Sequence, residues 1–102
     1  MALGARTWLR YVAANVRALR VRRGLTQEQL GERAGIEPRY VQDVERARTN
    51  LSFAVFVALA NALDVVPARL LRPAEMPPAR PGRPRTSTRA TARGGRRPTG
   101  RT

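Results

Sequence analysis

The feature that most restricts the fold is a twenty-residue stretch from Gln27 to Arg46, QEQLGERAGIEPRYVQDVER. Its apolar positions, Leu30, Ala34, Ile36, Val41 and Val44, suit two short helices crossing over a small core. Gly31 falls inside the first of them, where glycine costs about 1 kcal/mol relative to alanine. A close approach of the following helix is the reason a glycine would stand there. Gly35 comes four residues later, where a turn out of a helix needs positive φ. A generic helical hairpin accounts for the periodicity but not for both glycines.

The same period extends to either side. Leu9, Val12, Val16 and Leu19 predict a first helix from Trp8 to Arg22 that stops at Gly24, with Trp8 in the core. Thr26 with Gln29 three residues on has the capping-box pattern for a second helix, which runs to Arg33 and breaks at Ala34-Gly35. Pro38 suits the first turn of a third helix ending near Arg46, with Val41 and Val44 inward. Ser52 is the expected cap of a fourth, with Phe53, Phe56, Leu59, Ala60 and Leu63 inward. Pro67 opens a short fifth helix through Leu71. No stretch alternates with the period of a strand, and there is no internal repeat. The fold expected is all-α, with five helices.

Composition changes near Pro73. Residues 1–72 hold twelve arginines, six acids and most of the large apolar side chains. Residues 73–102 hold eight arginines, one acid and an abundance of Pro, Gly and Thr. That stretch has too little to bury to offset the entropy of ordering, so a disordered tail is expected there. The reading is an N-terminal arm over 1–7, a folded domain over 8–72 and the tail over 73–102. About 65 residues is small for a core without staples, which favours helices and local contacts.

All twenty basic residues are arginine and the net charge is +13, which calls for an anionic partner. Nucleic acid and an anionic membrane surface are the candidates. No apolar run approaches the roughly 20 residues of a spanning helix, and the N-terminus lacks a secretory signal. A cytoplasmic, nucleoid-associated protein with no membrane partner is expected. Cysteine and histidine are absent, which removes disulfides, thiolate metal sites and the commonest general base. With no Gly-rich phosphate loop and scattered acids, neither an enzyme nor a cofactor or metal site is expected.

The segments NVRALRVRRGLTQEQLGERAG, YVQDVERART and LANALDVVPARLL resemble the Xre family, the helix-turn-helix domains of phage Cro, lambda-type repressors and restriction-modification controller proteins. The resemblance covers about Val12 to Leu71. It implies a five-helix lambda-repressor-like domain, double-stranded DNA as partner, a two-fold homodimer and a role in transcription, most simply as a repressor. By matching positions, Gln27 would anchor a phosphate, and Pro38, Arg39, Gln42 and Asp43 would form the exposed face of the recognition helix. Arg20 and Glu45 match a pair tying the first helix to the end of the third. Arg46 at the end of the third helix, with Arg48 and Asn50 after it, completes the expected DNA contacts.

Physical chemistry gives these positions roles of their own. The N-terminus of a helix offers unpaired amides and a positive dipole end to phosphate. The major groove admits a helix whose early side chains reach base edges. If Val41 and Val44 face inward, 39, 42 and 43 lie largely opposite. Arg39 suits guanine, Gln42 adenine and Asp43 the cytosine amine. Tyr40 has two readings, packing against the second helix or giving its hydroxyl to a phosphate.

Three positions depart from the family pattern: Ala47 stands where a glycine usually ends the third helix, Gln42 replaces a common serine, and Pro38 a common polar reader. Val65, Val66, Leu70 and Leu71 suit either a dimer face or the monomer core. Residues 81–85, PGRPR, resemble the core of an AT-hook, in which Arg80, Arg83 and Arg85 would contact the minor groove. The alternative is a non-specific electrostatic arm. Two other functions use the same features. An antitoxin would bind DNA and neutralise a partner toxin. RNA binding is suggested by the tail, but the domain has no aromatic stacking platform.

Overall fold

The computed structural model describes residues 2–76. All but the first four residues of the expected disordered tail, and the hook-like arginines Arg80, Arg83 and Arg85, lie outside the described residues. Four α-helices follow one another: α1, Ala5–Arg22; α2, Gln27–Ala34; α3, Pro38–Glu45; and α4, Phe53–Ala62. A 3-10 segment, Pro67–Leu71, follows α4. No strand occurs among the described residues.

This corrects the five-helix expectation to four α-helices and one 3-10 segment. Five residues opened by a proline are too few to gain much from α-helical hydrogen bonding, and short isolated turns of this kind adopt the tighter 3-10 winding. Helix α1 begins at Ala5, three residues before the expected start. Gly4 caps it without a side-chain bond.

The core is one cluster in which every element takes part. Val12, Val16 and Leu19 come from α1, Leu30 from α2, Val41 and Val44 from α3, Leu59 and Ala60 from α4, with Leu63 just after it and Leu70 from the 3-10 segment. Tyr40, Ala34 and Ile36 pack against it, half-buried. Each element packs on two others, and α1 has α3 and the 3-10 segment as its partners.

Two aromatic expectations fail. Trp8 is 39% exposed and meets Tyr11 edge-on, because the first two turns of α1 run past the core. Phe53 is 78% exposed at the first position of α4, so the inward face of that helix begins at Val55 and Phe56. The outer face of α4 is thus apolar as well, and no residue of Phe53–Ala62 carries a charge.

Candidate nucleic-acid interface

The junction of α2 and α3 is built by local chemistry. Thr26 Oγ1 accepts from the Gln29 amide at 2.9 Å, and Gln29 Oε1 accepts from the Thr26 amide at 2.9 Å. The reciprocal cap fixes where α2 starts, and its other first-turn amides have no intrahelical acceptor. Gly35 ends the helix at φ +73°, and the Ile36 amide reaches back to Gly31 O at 2.9 Å. A Cβ on Gly31 would sit 2.6 Å from Ile36 O. Its neighbour is therefore the backbone of the turn leading into α3, which only glycine lets fold back so tightly.

Helix α3 is short and strongly two-faced. Pro38 occupies its first turn, and Val41, Val44 and Glu45 are buried. Pro38 and Arg39 are exposed, Gln42 and Asp43 half-exposed. The four residues drawn from the resemblance thus share the outer side of one helix. Tyr40 goes to the core side, half-buried. Beyond the helix, Arg46, Arg48 and Asn50 are exposed in the segment leading to α4. That segment turns at Ala47, whose φ is +56°. Arg48 N donates to Asp43 O at 2.8 Å, the same back-bonded ending that Gly35 gives α2, but here made by a residue with a Cβ.

One carboxylate joins three elements. Glu45 accepts from Arg20 Nε at 2.6 Å and Arg20 Nη2 at 3.0 Å, and from Gln27 Nε2 at 3.1 Å. Arg20 also donates to Leu25 O at 2.9 Å. The ends of α1 and α3 and the start of α2 are therefore tied at one buried point. The Gln27 side chain is engaged in this hub, half-buried, with its amide group beside the start of α2.

The residue that sequence reasoning missed is Asn15. It is 6% exposed on the inward face of α1, and its Nδ2 donates to Leu70 O at 2.9 Å and Arg72 O at 2.7 Å. A lone asparagine among Val12, Ala13, Ala14 and Val16 was the signal that could have found it, since a buried amide must find partners. Leu70 is fully buried in the monomer, while Val66 is 69% exposed and Leu71 37% exposed. The 65–71 group is thus split between core and surface. Among the described residues, no helix is long and apolar enough to cross a membrane.

A capped helix, a glycine turn and a second helix with one buried and one polar face define a helix-turn-helix domain. The chain belongs to the helix-turn-helix family HTH_3, whose model matches residues 16–71. It is 39% identical over 62 residues to the Neisseria hypothetical transcription factor of Neisseria meningitidis serogroup B, a match spanning 61% of this chain and 58% of that protein. Among solved structures it is similar to the restriction-modification controller protein C.AhdI from Aeromonas hydrophila, with 39% identity and a TM-score of 0.59 over 61% of this chain and 94% of that one. The P22 c2 repressor, solved with a synthetic operator, shares 27% identity at a TM-score of 0.58 over 62% of this chain and 96% of that one.

Proposed function

We propose that the protein is a sequence-specific, double-stranded-DNA-binding transcriptional regulator that represses by occupying its site, with α3 in the major groove. The observation that carries this reading is the polar outer face of α3, with Arg39 exposed in its first turn, beside the capped start of α2. The amides and dipole of α2 hold a backbone phosphate, which sets the register. Arg39 then meets guanine O6 and N7, while Gln42 and Asp43 read neighbouring bases. Arg46, Arg48 and Asn50 extend the phosphate contacts past the end of α3. The hub at Glu45 keeps the two helices rigid, so binding loses little entropy to ordering them. The similarity to a repressor solved with a synthetic operator supports DNA as the partner.

The protein acts as a homodimer on a two-fold site. An eight-residue helix reaches only a few base edges, so specificity needs two copies. In a chain of net charge +13, the uncharged outer face of α4 is the surface on which two copies can meet without repulsion. Exposed Phe53 supplies the apolar anchor.

Selection of bound duplexes from a random pool, followed by footprinting, tests the reading. The expected result is a palindrome with half-sites roughly 10 bp apart or a multiple of that. Arg39→Ala should cost about 1–3 kcal/mol on the selected site and relax one base position. No enrichment, or an equal loss on selected and random duplex, would overturn the assignment of α3 and Arg39.

A further inference from the structure

The opposite flank of α1 carries a second basic group. Asn15 holds the 3-10 segment there: besides its bonds to Leu70 O and Arg72 O, its Oδ1 accepts from Arg69 Nη1 at 3.3 Å. Arg22 stands seven residues, about two turns, after Asn15, on the same face of α1. Residues 22, 69 and 72 are therefore placed along one seam between α1 and the 3-10 segment. Desolvation, and then the charges of Arg72 and Arg22, lower the Arg69 pKa below the ordinary arginine value. Among the described residues, no acid lies within ion-pair distance of Arg22, Arg69 or Arg72. Asn15 fixes the Arg69 guanidinium and the Arg72 backbone, and the like charges of Arg22 and Arg72 beside them are a concentration that an anion would relieve.

We infer that Arg22, Arg69 and Arg72 form a second phosphate-binding site, which takes the backbone of duplex DNA outside the segment read by α3. The inference rests on the DNA-binding reading above and adds a surface to it. The 3-10 segment packs on α1 and α4, whereas α3 packs on α1 and α2, so the trio and the recognition helix lie on different flanks. A phosphate at the trio belongs to flanking duplex bent toward the protein, or to a second duplex. The chemistry fits: each guanidinium presents a planar fork of donors that matches two phosphate oxygens. The Asn15 amide hydrogens are both in use, so the site offers cationic donors alone. Repeated phosphodiesters ask for nothing more.

The test uses the full chain and the selected site, on a duplex trimmed to the footprint and on one with long flanks. Arg22→Gln with Arg72→Gln leaves the Arg69–Asn15 bond in place, and the matching pair of lysine substitutions keeps the charge. The glutamine variant should lose affinity for the flanked duplex alone, with a log–log salt slope shallower by about 2, from about 0.9 for each of two phosphates. The lysine variant should retain most of it. Easing the repulsion should also raise the thermal midpoint of the glutamine variant at low salt, giving a protein that is more stable but binds less well. Unchanged affinity and slope on the flanked duplex would overturn the site, and so would an equal loss on the trimmed one. Failure of the unaltered protein on the trimmed duplex would instead sink the role of α3. The arginine Nε–H resonances of residues 22, 69 and 72 then decide the trio separately, in titrations with random duplex and with inorganic phosphate. Movement with duplex supports the inference, whereas movement with inorganic phosphate alone replaces DNA by a free anion and overturns it.

Discussion

Replacing Glu45 by alanine should be among the most damaging single changes in the domain. The carboxylate receives three hydrogen bonds, two from Arg20 and one from Gln27, and the side chains of Arg20 and Glu45 are 13% and 4% exposed. Glu45→Ala leaves the Arg20 guanidinium almost out of water with Leu25 O as its remaining acceptor. An ion deprived of its partner in such a place costs about 3–5 kcal/mol, against about 1 kcal/mol or less for an exposed pair. A domain of this size has a total stability of roughly 3–10 kcal/mol, so about a third or more of it would be lost. In urea, at a slope of about 1 kcal/mol per molar, the midpoint should fall by about 3–5 M or the variant should already be unfolded. Arg20→Ala should cost a similar amount by stranding the carboxylate. The double variant should be less damaged than the two losses added together, with a coupling of about 0.5–3 kcal/mol. Arg20→Met with Glu45→Met should recover most of the stability, since apolar replacements of similar volume commonly equal a buried pair. Circular dichroism at several urea concentrations reads all four. A Glu45→Ala loss within about 1 kcal/mol, or strict additivity, would refute the claim that the hub is buried and cooperative.

Two further substitutions and a truncation probe the backbone and the tail. Ala47→Gly should raise stability by about 0.5–1 kcal/mol, because φ of +56° crowds a Cβ that glycine lacks; an unchanged or lower urea midpoint would count against strain there. Gly31→Ala should destabilise by about 1–3 kcal/mol despite alanine's better helix propensity, since its Cβ would press on Ile36 O; a stabilised variant in the same melts would show that the turn can give way. A cut for removing the tail belongs after Met76 and not at Leu71, because Arg72 O is a partner of Asn15. That truncation takes away eight arginines and no acid. It should leave the melting midpoint in place and make DNA binding less salt-dependent, by about 0.9 in slope for each phosphate that the tail had neutralised, as measured by titration at several salt concentrations. Equal slopes for the two lengths would assign the tail to something other than DNA.

The elements legible in the amino-acid sequence are those decided within a few residues along the chain. The Thr26–Gln29 cap, the turn at Gly35, the proline at the start of α3 and the inward Val41 and Val44 are all set by groups three to five residues apart. Their hydrogen bonds and dihedral preferences act before any distant segment arrives, so α2, the turn and α3 could be read directly. The Arg20–Glu45 pairing came from resemblance, and its worth could not be read from sequence, because burial is a property of the packed domain. Everything else waited on the packing of distant segments. Asn15 finds its acceptors 55 and 57 residues away, and no local pattern announces which carbonyls those are. Phe53 and Phe56 both fit an inward stripe on α4, and only the position of the neighbouring elements leaves the first in solvent and the second in the core. Trp8 is exposed for a like reason: α1 is longer than the core it covers. The 3-10 winding of residues 67–71 reflects a segment too short to sustain an α-helix, held in place by Asn15 and the burial of Leu70. Periodicity says which side chains want burial, but only the assembled elements supply a limited area of core, and that area determines which of them obtain it.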